Sequence, residues 1–169
     1  MTIISDGYSA FRQTYVQLEV EFTQEAFANE NLATANFPGL VKQSLRTKFP
    51  EVKNRRDKKL LYSIISPAAA YRLQEIVTED PKVIGSTKNI WVLADDDVDM
   101  LMKGKVDIEI PEVNRRIKDK QLAWIEILIS EGKLEKRFNR NFFTSGDSRE
   151  PELAGIMGAM RGSLFTLLI

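Results

Sequence analysis

The chain has 169 residues, 43% of them hydrophobic and 28% charged, with 24 Lys plus Arg against 24 Asp plus Glu. That length suits one domain with its own core, and a net charge of zero lacks the basic excess of a nucleic-acid module. Cysteine and histidine are both absent, which removes the common zinc arrangements and Cys-His and Ser-His-Asp catalysis, while fitting oxidising and reducing compartments alike.

Met1 to Phe11, "MTIISDGYSAF", carries no basic stretch followed by an apolar run. Ile3 and Ile4, ahead of the polar turn Ser5-Asp6-Gly7, are expected to be the last rung of an apolar segment upstream. From Thr14, "TYVQLEVEF" alternates: Val16, Leu18, Val20 and Phe22 face one way, and Gln17, Glu19 and Glu21 the other. Period 2 predicts a strand with one wet face. Thr23 to Asn36 reads mainly as loop.

Pro38 suits the first turn of a helix running to about Lys48, with Val41, Leu45 and Phe49 as its stripe and Pro50 as its stop. Two helices follow. Leu60, Leu61, Ile64 and Ile65 line the first, and Ala69, Leu73, Ile76 and Val77 line the second. Between them Ser66 is the expected cap and Pro67 the first helical residue. The basic run Lys53 to Lys59, "KNRRDKK", is of a type that grips phosphate groups, and the helix pair has helix-turn-helix proportions. The would-be recognition helix, however, sets Arg72 against Glu75, Glu79 and Asp80, which repels a polyanion. A solvated helix start is the plainer reading.

Gly85-Ser86-Thr87-Lys88 lacks the spacing of a phosphate-cradling loop and leads into a strand. That strand, "TKNIWVLA", is rich in β-formers. Asp95 then caps a short helix with apolar positions Val98, Leu101 and Met102 and Gly104 as its stop. Asp95, Asp97 and Asp99 share the opening spacing of a calcium loop, but Met100 and Val106 stand where that loop needs Gly and Glu. The alternative places Asp96 and Asp97 in the first helical turn, against the dipole. The longest helix is expected from near Pro111 to Gly132, with Val113, Ile117, Trp124, Ile127 and Leu128 as its stripe. A third strand follows in "KLEKRFNRNFF", with Leu134, Phe138 and Phe142 on one face. Mixed elements without βαβ alternation predict an α+β fold: a small, mostly antiparallel sheet of about three strands covered by four to five helices.

The chain closes on an apolar run. Gly155, Gly158, Ala159 and Gly162 recur at helical intervals, and Gly158 with Gly162 forms the small-residue pattern that lets helices approach closely in lipid. Arg161 needs a partner or an interfacial position there. From Gly162 eight residues remain, whereas a span needs about 20. The segment therefore reads as the start of a transmembrane helix, its alternative being a buried core helix.

"FFTSGDSREPELAGIMGAMRGSLFTLLI", with "DDDVDMLMKGK" and "DKQLAWIEIL", resembles the PstA-type permease subunit of bacterial phosphate ABC importers. The closer likeness is to the proteobacterial form with a large insertion between its first and second membrane helices. The resemblance implies residues 1–8 as a tail after an upstream span, 9–148 as one extracytoplasmic α+β domain, and 149–169 as a membrane-proximal segment entering the next span. It implies an inner-membrane location with this domain in the periplasm. The implied partners are a second permease, a cytoplasmic ATPase reached through other regions, and a periplasmic phosphate-binding protein. No catalytic, cofactor or metal residue is expected. Ser148, Arg149 and Arg161 are candidates for anion or partner contact near the membrane, and Gly158 and Gly162 for helix packing. A freestanding soluble adaptor unrelated to transport is the alternative.

Overall fold

The computed structural model of the chain describes residues 12–27 and 35–138. Strand β1, Arg12–Glu21, turns Val16, Leu18 and Val20 into the core, and Phe22 continues the same face just beyond the strand. Gln17, Glu19 and Glu21 take the opposite face, so the alternation dictates the pleat. Strand β2, Thr87–Leu93, pairs antiparallel on one side of β1, with Gln17 opposite Trp91 and Tyr15 opposite Leu93. Strand β3, Leu134–Phe138, pairs antiparallel on the other side, from Val16 opposite Leu134 to Arg12 opposite Phe138. The order is β2-β1-β3.

Five helices accompany this sheet, so the α+β expectation holds among the described residues. Helix α1, Phe37–Lys48, opens with Pro38 in its first turn, and Asn36 Oδ1 accepts from the Gly39 amide at 2.9 Å. It buries Leu40, Val41 and Leu45 behind β1, each such side chain contributing about 1.5–3 kcal/mol of apolar transfer. Helix α2, Arg55–Tyr62, is capped by Asn54, whose Oδ1 accepts from the Arg56 amide at 3.0 Å. Helix α3, Ala68–Glu79, packs on α1 and β2. Its entry follows the expected chemistry: Ser66 Oγ accepts from the Ala68 amide at 3.2 Å while Pro67 is already in the helical region. Thr23 to Asn36 is not wholly irregular, because Gln24–Ala26 forms a 3-10 turn; residues 28–34 lie outside the described ones. Short helix α4, Asp96–Met102, and helix α5, Asp119–Ser130, complete the set. Gly104 and Gly132 close them at φ 70° and 66°, where a side chain is strained.

Helix α5 departs from the sequence reading. It begins at Asp119 and spans 12 residues, the same as α1 and α3. The Pro111 region forms only a 3-10 turn, Glu112–Asn114, and Val113 is 89% exposed. The buried stripe is Gln121, Trp124, Ile125 and Leu128, whereas Ile127 is 40% exposed. The helix starts where Gln121 Oε1 can accept from the Lys118 amide at 2.8 Å, satisfying an otherwise orphaned donor. On β3, Leu134 is buried but Phe138 is 57% exposed at the rim of the sheet; Phe142 lies outside the described residues.

The turn at Gly132 folds α5 back along β3, while Lys48 bonds the Glu131 carboxylate and joins the end of α1 to the end of α5. Hydrogen bonding to Lys48 holds Glu131 below the usual carboxylate range.

Candidate functional site

Arg12 and Phe138 are register partners at the start of β1 and the end of β3. Antiparallel partners stand about 5 Å apart, so both ends of the described body leave from one end of the sheet, side by side.

Beside this exit, α4 is fastened to β1. Asp99 Oδ1 accepts from both the amide and the hydroxyl of Thr14, at 2.9 and 2.8 Å, and its Oδ2 meets Lys103 Nζ at 2.5 Å. The Asp99 and Lys103 side chains are largely buried. They line a polar cleft of about 140 Å³ with Gln13, Thr14 and Asp96. A carboxylate bonded in this way is structural, because three donors already share its two oxygens.

The rest of the acidic run follows the capping alternative. Asp95 Oδ1 accepts from the Asp97 amide at 3.1 Å, and Asp97 Oδ1 meets Arg116 Nη1 at 3.2 Å. Asp95, Asp97 and Asp99 thus turn to separate partners. Among the described residues no group of three or more acids is placed to hold a metal ion.

The basic run lies on α2, which bears on the same end of the molecule. Past its C-terminus, Ile64 O accepts from the Asp95 amide at 2.9 Å and the Ser66 amide donates to Leu93 O at 3.1 Å. On its other flank, Lys120 Nζ meets Asp57 Oδ2 at 2.7 Å. Buried Gln121 donates through Nε2 to Ser63 Oγ at 3.0 Å and to Leu60 O at 3.3 Å. Because Arg116 reaches Asp97, the start of α5 is also at this end. The C-terminal end of α2 therefore lies at the exit end, with its Asp57 side against the start of α5.

On helix α3 the one arginine, Arg72, is paired with Glu75. Gly85, with φ 89°, turns the chain into β2 through its amide bond to Phe22 O, so the Gly85-to-Lys88 stretch leads to a strand and not to a phosphate-binding helix start. On the outer face of the sheet, the Arg137 guanidinium stacks 3.7 Å over the Trp91 ring. Burial pushes the neighbouring Tyr15 hydroxyl above its ordinary pKa, against the pull of Arg137 and Arg72. An apolar groove of about 270 Å³ runs between α1 and the α2–α3 junction, walled by Val41, Leu45, Tyr62, Ile65 and Ala69.

Ser148, Arg149, Arg161, Gly158 and Gly162 lie outside the described residues. Among the described residues no helix is long and apolar enough to cross a membrane. Three features escaped the sequence reading: the Thr14–Asp99 contact, the Gln121 hub and the meeting of the two chain exits. Only the Gln121 position offered a local signal, as the third residue of a helix start.

A family model described as a domain of unknown function, DUF3333, matches residues 1–112. No curated protein and no solved structure matches the chain.

Proposed function

We propose that this chain, which belongs to the DUF3333 family, is the extracytoplasmic domain of an inner-membrane permease subunit of a phosphate ABC importer. It would sit between two membrane spans and face the periplasm. It acts without catalysis, contacting the phosphate-binding protein or bracing the second permease, while a separate ATPase supplies the energy. Two things support this reading. One is the likeness of the Phe142-to-Ile169 stretch, with Asp95 to Lys105 and Asp119 to Leu128, to such permeases. The observation that carries most weight is the pairing of Arg12 with Phe138, because a domain hung between neighbouring helices must receive and return the chain at one place.

The absence of cysteine from these 169 residues lets a single cysteine report the orientation, once any cysteine elsewhere in the gene product is replaced. Lys82→Cys in the full-length gene product should react with a membrane-impermeant maleimide in intact spheroplasts. Labelling only after permeabilisation would put the domain on the other side and end the reading. Partner contact is tested separately by capture on the phosphate-binding protein. Arg149→Glu or charge reversal in Lys53 to Lys59 should change the amount retained, since rim charges tune encounter.

A further inference from the structure

We propose that the basic bar of α2 is a seat for anionic phospholipid headgroups, holding the domain against the membrane surface from which its two ends emerge. This rests on the membrane-tethered reading above and adds to it a lipid contact made by the folded body itself.

Lys53, Arg55, Arg56, Lys58 and Lys59 stand within seven residues, and none of them makes an ion pair among the described residues. Of the two acids nearby, Glu51 and Asp57, Asp57 is taken by Lys120. Lys53, Arg55, Arg56 and Lys59 are exposed. Arg55 and Arg56, in the first turn, also oppose the helix dipole, whereas Lys59 lies in the last turn, so neither ion pairing nor helix stability accounts for the two arginines.

Position supplies the rest. Helix α2 meets the start of α5 through Asp57 and Leu60, and the residues just past its C-terminus, Ser63, Ile64 and Ser66, bond Gln121, Asp95 and Leu93. It therefore shares the end of the sheet where Arg12 and Phe138 leave. Phe138, half-exposed there, adds an aromatic ring to the same end, and aromatic and basic residues together are what a headgroup layer accommodates. The pull of an anionic leaflet fades within a Debye length, so cations matter only if the fold keeps them close to the tether, as this one does.

The test uses the full chain with vesicles of phosphatidylethanolamine and phosphatidylcholine, with and without phosphatidylglycerol. The C-terminal apolar run should carry the chain into both. The anionic vesicles should hold it about tenfold to a hundredfold more tightly at low salt, and the excess should vanish at high salt and in R55Q/R56Q/K59Q. A dye on Lys59→Cys should be quenched by a headgroup-labelled lipid, and one on Lys82→Cys, at the opposite end of the sheet, should not. The salt titration reads the unmodified chain and needs no variant to fold. Equal partitioning into both vesicles, or an excess that survives in the triple variant, overturns the lipid seat while leaving the membrane reading standing. No partitioning into either vesicle takes the membrane reading down and the seat with it.

Discussion

Asp99 is the residue on which the exit end turns. From α4 its carboxylate reaches an amide and a hydroxyl on β1, across 85 positions of sequence, and the ammonium of Lys103 at the helix end. Removing it by Asp99→Ala leaves a buried amide, hydroxyl and ammonium without their acceptor. The loss should be about 3–5 kcal/mol in urea unfolding, whereas Asp96→Ala, at an exposed position in the same run, should fall within about 0.5 kcal/mol of zero. Tyr15 gives a pH signature. Its hydroxyl titrates above the ordinary value of about 10 because burial disfavours the phenolate. A group raised in the folded state contributes stability that is complete below its unfolded pKa and lost as pH rises through the folded one. Thermal melts should therefore show stability falling above about pH 10, and Tyr15→Phe should flatten that fall.

The elements divide by how local their signals are. Strand β1 was legible because Val16, Leu18, Val20 and Phe22 alternate with polar residues, helix α1 because Pro38 suits a first turn and Pro50 stops it, and helices α3 and α4 because Ser66 and Asp95 cap them from two residues away. The start of α5 was not legible. Val113 fits the helical spacing as well as Ile117 does, and only burial separates them: Ile117 is 1% exposed and Val113 is 89% exposed. Ile117→Ala should accordingly cost about 2–5 kcal/mol, and Val113→Ser should change unfolding free energy by less than about 0.5 kcal/mol. A large loss for Val113→Ser would restore the longer helix. The acidic run misleads in a similar way, since the spacing of three aspartates says nothing of where their side chains turn. Helical geometry and outside partners decide that.

For the molecule as a whole, the meeting of Arg12 and Phe138 is the geometric support for the proposed double tether. It is checkable without a membrane, because the chain has no cysteine to interfere. Arg12→Cys with Phe138→Cys should cross-link under mild oxidation, since antiparallel partners lie within disulfide reach. The bridge closes most of the described chain and should raise stability by up to about 5 kcal/mol; no cross-link would separate the two exits and remove the geometric support for a double tether. Lys82 lies at the end of the sheet where Glu21 meets Thr87, opposite the end where Arg12 meets Phe138.

From its residues alone the chain specified the class of fold, most element limits and the wet and dry faces of β1, because periodicity and capping act over a few positions. It also specified that thiol and imidazole chemistry is absent, since that needs only a count. Tertiary structure decided what depends on closure: that β1 accepts β2 on one side and β3 on the other, that Thr14 finds Asp99, and that the residues following the basic run bond the end of β2. Such contacts join positions tens of residues apart. They are chosen by whichever packing buries the whole apolar set at once, so no local pattern encodes them.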